Sequence, residues 1–121
     1  MLRVKRVYQS KEPGDGIRIL VDRLWPRGLR SEQAAVDEWM KDVSPSDELR
    51  KWFAHDPAKW PEFKRKYTQE LAASEKAALL KRIAKLAAGG DVTLVYAAKD
   101  TEHNNARVLE ELIAKLAKGW A

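Results

Sequence analysis

A chain of 121 residues suffices for one domain with a real core, which at this size hides roughly two thirds of the surface its unfolded form exposes. It has no cysteine and two histidines, which excludes disulfide staples, thiolate metal ligands, a cysteine nucleophile and a histidine-rich metal site. The net charge of +5 favours anionic partners, but its distribution is uneven. Residues 1–30 hold eight basic against three acidic side chains, and residues 31–60 hold four against seven. Apolar runs fall far short of the ~20 residues of a membrane span, and the N-terminus alternates basic and apolar residues where a signal peptide carries its apolar core. The expectation is a soluble cytoplasmic protein without a membrane partner.

In chain order, a strand is expected near Leu2–Tyr8, followed by a turn at Pro13-Gly14-Asp15-Gly16, whose glycines tolerate positive φ. A second strand, Ile17–Val21, is almost continuously apolar, as in the middle of a helix-covered sheet. About eight residues join the two strands, fewer than the dozen or so that a parallel crossover between neighbours needs. They are therefore either an antiparallel pair or not neighbours. Ser31-Glu32-Gln33-Ala34 reads as a short helical turn, and Val36–Met40 as either a third strand or a helix continuation. Ser46 caps a helix whose inner stripe is Leu49, Trp52 and Phe53, with Asp47 and Glu48 in the first turn. Asp56-Pro57 restarts helix as cap and first residue.

Trp60, Phe63, Tyr67 and Leu71 fall at helical spacing. A further helix runs from about Ser74 to Ala88, stopped by Gly89-Gly90. The run Val92–Ala97 is the next strand, apolar on both faces. The last helix is predicted over Glu102 to Lys118, capped by Asp100 or Thr101 and stopped by Gly119. This alternation predicts an α/β fold: a single compact layered domain, residues 1–121, with a small, mostly parallel sheet covered by helices.

Two polar stretches stand directly behind strands, where open α/β sheets bind ligands. The first is Asp22-Arg23-Leu24-Trp25-Pro26-Arg27-Gly28. Arg23 and Arg27 offer donor forks suited to phosphate or carboxylate, and Gly28 permits close backbone approach; Trp25 reads as packing. The second is Lys99-Asp100-Thr101-Glu102-His103-Asn104-Asn105. Lys99, Asn104 and Asn105 are candidate ligand-binding residues there, beside the positive end of a helix. Asp22 and His103 are the candidate proton carriers.

The competing explanations are ordinary. An ion pair would hold the first loop, and capping would explain Asp100 and Ser46. His55 is accounted for by its place near a helix end, and Arg50 either faces the rim or pairs with Asp47 or Glu38. Lys64-Arg65-Lys66, Lys81-Arg82 and Lys85 read as a solvated face. No P-loop, dinucleotide fingerprint, EF-hand or zinc spacing occurs, so neither cofactor nor metal follows from pattern.

Arg18 to Gly28, Trp39 to Ser46, Leu49 to Pro57 and Val92 to Ala106 together resemble the YeaO-like family of domains of unknown function. The resemblance spans nearly the whole chain and implies a bacterial, compact α/β domain, without specifying an activity. From the residues, the leading reading is a protein that binds an anionic small molecule or nucleotide at the carboxyl-end rim of its sheet, with enzymatic action open. The alternatives are a nucleic-acid-binding module, suggested by a pI near 9.5, and a protein-interaction domain using Trp120.

Overall fold

The computed structural model describes residues 1–118; Gly119 and Trp120, assigned above to a helix stop and an interaction surface, lie outside the described residues. Four parallel strands, β1 (Leu2–Arg6), β2 (Ile17–Leu20), β3 (Glu38–Trp39) and β4 (Val92–Tyr96), form one sheet in the order β1-β4-β2-β3. The short link between the first two strands is thereby explained. They are not neighbours, since β4 lies between them and pairs with both. The ambiguous segment 36–40 supplies only the two-residue edge strand β3, followed by a single turn at Lys41–Val43.

Five α-helices accompany the sheet among the described residues: α1 (Ser31–Ala34), α2 (Asp47–Phe53), α3 (Trp60–Leu71), α4 (Ser74–Gly89) and α5 (Asn105–Lys118). None among the described residues is long and apolar enough to cross a membrane. Alternation along the strands sends Ile19, Val21, Val92, Leu94 and Tyr96 to one face, where they meet Phe63, Tyr67, Ile83, Leu109 and Ile113 of the long helices. The predicted stripe of α3 is therefore core, with Trp60 at its margin. The opposite face carries Leu20 and Val95 against Val7 and Ala34, flanked by Trp25, Leu29 and Trp39. Both faces are buried, but only one lies under long helices; α1 and loops cover the other.

Beneath that thinner cover, Arg18 of β2 is fully buried. Its Nη1 donates to Asp15 Oδ2 at 3.0 Å, and its Nη2 to the carbonyls of Ala34 at 2.8 Å and Val7 at 3.2 Å. Lys5 Nζ reaches the same Asp15 oxygen at 3.0 Å. Burial pushes the Asp15 carboxyl up, but hydrogen bonds from Lys5, the Glu12 amide and Arg18 outweigh it and hold the group below its usual range. The turn that presents Asp15 requires glycine at position 16: φ is +61°, and a Cβ there would stand 2.0 Å from the Asp91 carbonyl oxygen.

A carboxyl with a lowered native pKa adds stability that is complete above its unfolded value and is lost as pH falls through the native one. Part of the parent's stability should therefore disappear as pH drops below 3.8. In Asp15→Asn that acid-sensitive part should be missing. At neutral pH the variant should lose about 3 kcal/mol, the low end for an uncompensated buried charge, because Arg18 keeps two carbonyl acceptors. Urea unfolding at several pH values checks both.

Candidate anion-binding crevice

β2 and β4 run side by side, with Leu20 opposite Val95, and their chains then separate. From β2 the chain turns to α1 and the edge strand β3. From β4 it turns to α5, which packs back on β4 and β1. Diverging exits open a crevice at the carboxyl ends of the strands. Its volume is about 750 Å³, in the range of ordinary small-molecule sites.

Asp22 ties the two walls together. Its Oδ2 accepts from the Ala97 amide at 2.8 Å, and its Oδ1 from Asn105 Nδ2 at 3.1 Å. The same Asn105 nitrogen donates to the Val21 carbonyl at 2.9 Å. Burial raises the Asp22 carboxyl above its usual range, against the bonds from Ala97 and Asn105 and the charge of His55. A third strand joins the rim where Tyr8, after β1, donates from its hydroxyl to the Arg27 carbonyl at 3.0 Å.

The second loop departs from the predicted cap. The final helix starts at Asn105 instead of Glu102, and its N-terminal acceptor is Asn104, whose Oδ1 takes the Arg107 amide at 3.1 Å. Asp100 caps a separate preceding turn: its Oδ1 accepts the amides of Glu102 and His103 at 2.9 and 3.0 Å. An aspartate followed by two free amides looks the same in sequence in either setting. His103 and Asn104 consequently precede the helix and do not form its first turn. Asn104 is buried, and its Nδ2 also donates to the Asp100 carbonyl at 3.0 Å, so both ends of its amide hold the loop.

His103 Nδ1 lies 2.9 Å from Asp100 Oδ2. The amide of Glu102 and then the His103 ring hold the Asp100 carboxyl below its usual range. In the neutral ring, an ionised acceptor at that nitrogen selects the tautomer with hydrogen on Nδ1, which leaves Nε2 as an acceptor. The Trp60 indole meets the imidazole edge-on, 5.3 Å between centroids.

Among the expected site residues, Asp22, Arg23, Arg27, Lys99, His103, Asn104 and Asn105 line this one crevice. Gly28 does not; its φ of +70° marks it as a turn residue, and open space surrounds the position of a Cβ. Trp25 packs edge-on against Trp39 at 5.4 Å and donates to the Leu29 carbonyl, so its role is largely packing. Arg50, Phe53 and His55, from α2 and the residues after it, form a further wall. Ala54 and His55 both adopt left-handed backbone, φ +46° and +59°, uncommon for non-glycine residues. In the sequence His55 is set aside as a candidate acid–base residue because its place at a helix end, before Asp56-Pro57, already explains it; the fold brings it to the crevice.

The electrostatics are positive at the rim. Arg23 Nε and Arg50 Nη2 share Asp47 Oδ1, at 3.4 and 3.2 Å. Arg27 and Lys99 have no ion-pair partner among the described residues. Nor, among those residues, do three His, Asp or Glu side chains group as a metal site requires. Of the helical cations, Lys64 pairs with Glu111, Arg65 with Glu62 and Arg82 with Glu38, while Lys66, Lys81 and Lys85 have no ion-pair partner among the described residues.

Four parallel strands with helices packed on the sheet define a compact α/β domain. The chain belongs to the family described as the Inactive DUF488-N3 subclade, which it matches over residues 1–119. It is 44% identical over 115 residues to "Uncharacterized protein YeaO" of Escherichia coli (strain K12), covering 95% of this chain and 98% of that one. It is 43% identical over 112 residues to "Uncharacterized protein Mb3100c" of Mycobacterium bovis and to "Uncharacterized protein Rv3073c" of Mycobacterium tuberculosis (strain H37Rv), covering 93% of this chain and 92% of each. No solved structure matches.

Removing the Asp22 carboxylate leaves the Ala97 amide and one Asn105 hydrogen without acceptors. Asp22→Ala should cost about 1–3 kcal/mol, read by urea unfolding, and hydrogen exchange should quicken at Ala97.

Proposed function

We propose that the crevice binds an anionic small molecule, bearing phosphate or carboxylate or presented as a nucleotide, and binds it without turning it over. The observation that carries this reading is the charge count at one concavity. Arg23, Arg27, Arg50 and Lys99 line it together with the carboxylates of Asp22 and Asp100, and two of the cations have no counter-ion among the described residues. Uncompensated cations beside low-dielectric walls concentrate anions. The apolar part of the lining, including Phe53, Phe63 and Pro26, suits the body of a ligand whose charged end meets the arginines.

Binding is preferred to catalysis because the candidate base Asp22 already accepts a bond at each oxygen from the opposite wall, and the family's description as inactive agrees. The Asp100–His103 pair then acts as an oriented acceptor for a ligand hydroxyl. A nucleic-acid partner is less favoured, since Lys64, Arg65 and Arg82 are already paired, and Arg27 and Lys99 lie in a concavity of small-molecule size.

Thermal unfolding in the presence of inorganic phosphate, citrate, adenosine monophosphate and a single-stranded oligonucleotide tests the reading. A small anion at about ten times its Kd should raise Tm by roughly 4–8 °C. The double variant Arg27→Ala/Lys99→Ala should bind at least ~10-fold more weakly while unfolding near the parent temperature. Failure of all small anions to shift Tm would overturn it. So would a response to the oligonucleotide alone that fades steeply with salt, which marks phosphate-backbone binding.

A further inference from the structure

The pair of arginines sharing one carboxylate specifies the charge of the ligand more closely. Arg23 reaches the crevice from the loop after β2, and Arg50 from α2. Both face the same oxygen of Asp47: Arg50 Nη2 donates to it at 3.2 Å, and Arg23 Nε stands 3.4 Å away without a hydrogen bond. Neither guanidinium makes any other hydrogen bond among the described residues. A guanidinium has five N–H donors, so most of the donor capacity of both forks is unused. Asp47 is not among the crevice-lining residues; it holds the arginines from outside.

The three side chains are about half exposed, at 45%, 55% and 45%, and ion pairs of that exposure are weak. Two cations held by one weakly bound carboxylate leave one positive charge uncompensated. A singly charged ligand would replace Asp47 by an equal charge and gain little Coulomb energy. A doubly charged one neutralises both guanidiniums, and forked contacts to phosphate oxygens are stronger than the pair they displace.

We infer that the ligand is a phosphate monoester, such as a sugar phosphate or nucleoside monophosphate, whose dianionic head is taken jointly by Arg23 and Arg50, with Asp47 the resident counter-ion it displaces. This rests on the crevice reading above and adds to it a charge state, a pair of ligating residues and an internal competitor. It also separates the ligand from nucleic acid, whose backbone phosphates are diesters with one charge each. The crevice beyond the arginines has space for the esterified body, and the Asp100–His103 pair on its lining can meet the body's hydroxyls.

Calorimetric titration of the whole chain at pH 8 provides the test, since the second ionisation of a phosphate monoester is near pH 6. The ligands are ribose 5-phosphate, inorganic phosphate and the diester dimethyl phosphate. We expect ribose 5-phosphate and inorganic phosphate to bind and the diester to bind at least ~10-fold more weakly. Asp47→Asn should tighten monoester binding a few-fold by removing the competing charge. Arg23→Lys and Arg50→Lys keep the charge and lose the fork, so each should weaken binding about tenfold with an unchanged Tm.

Equal binding of monoester and diester would overturn the inference. So would a monoester affinity that Asp47→Asn leaves the same or lower. If binding depends on Arg27 and Lys99 but is indifferent to both Lys variants, the clamp is wrong and the crevice reading stands. If neither phosphate nor ribose 5-phosphate binds, and citrate and adenosine monophosphate also leave Tm unmoved, both fall.

Discussion

One carboxylate holds the crevice end of this domain together. Where β2 and β4 end, the chain separates toward opposite edges of the sheet, and loops leaving in different directions have no backbone ladder to join them. Asp22 supplies the missing acceptors, one oxygen for the Ala97 amide and one for the Asn105 side chain. Its burial raises the cost of ionisation. With that cost set against them, the two bonds it accepts are together worth about 1–3 kcal/mol, enough to fix the walls of a crevice though not to define the fold. The side chains mounted on those walls, Arg23 and Arg27 on one and Lys99 and His103 on the other, are positioned through this joint.

The two faces of the sheet solve burial differently. One is covered by α3, α4 and α5 with aromatic and aliphatic stripes, the usual arrangement for a parallel sheet. The other has only α1 and loops, which offer less apolar area, and there the chain buries an arginine. Arg18 is tolerated because Asp15 and two backbone carbonyls accept from its terminal nitrogens, although its Nε is left without a partner, and Lys5 supports Asp15 from β1. An ion cluster of this kind adds little net stability against well-packed apolar residues. Its directional bonds do join the 13–16 turn, β1, β2 and α1, four segments with little else in common.

The strands and long helices were legible because their periods are strong: the apolar runs 17–21 and 92–97 and the stripe Trp60, Phe63, Tyr67, Leu71 admit few alternatives. Chain length between the first two strands excluded a direct parallel pair, and the insertion of β4 between them is the consequence. Less was legible at 36–40, since a two-residue edge strand has no period. The start of α5 was misjudged because Asp100 satisfies two amides in a turn of its own, a pattern local sequence does not distinguish from a helix cap. Arg18 carries no sign of burial in the sequence; its burial depends on Asp15 and Ala34, which meet it only in the folded chain. The two loops of the crevice could be named from their position behind strands, whereas the wall from α2, with Arg50 and His55, depends on how α2 docks and has no signature of its own.

The central claim is that the crevice between the ends of β2 and β4 receives an anion. Backbone amide shift mapping during titration with ribose 5-phosphate addresses it directly. The account expects saturable changes concentrated at residues 22–28, 47–55 and 97–105, with α4 unaffected. Changes centred on the basic helical positions Lys64, Arg65, Lys81 and Arg82, or none up to millimolar ligand, would contradict it.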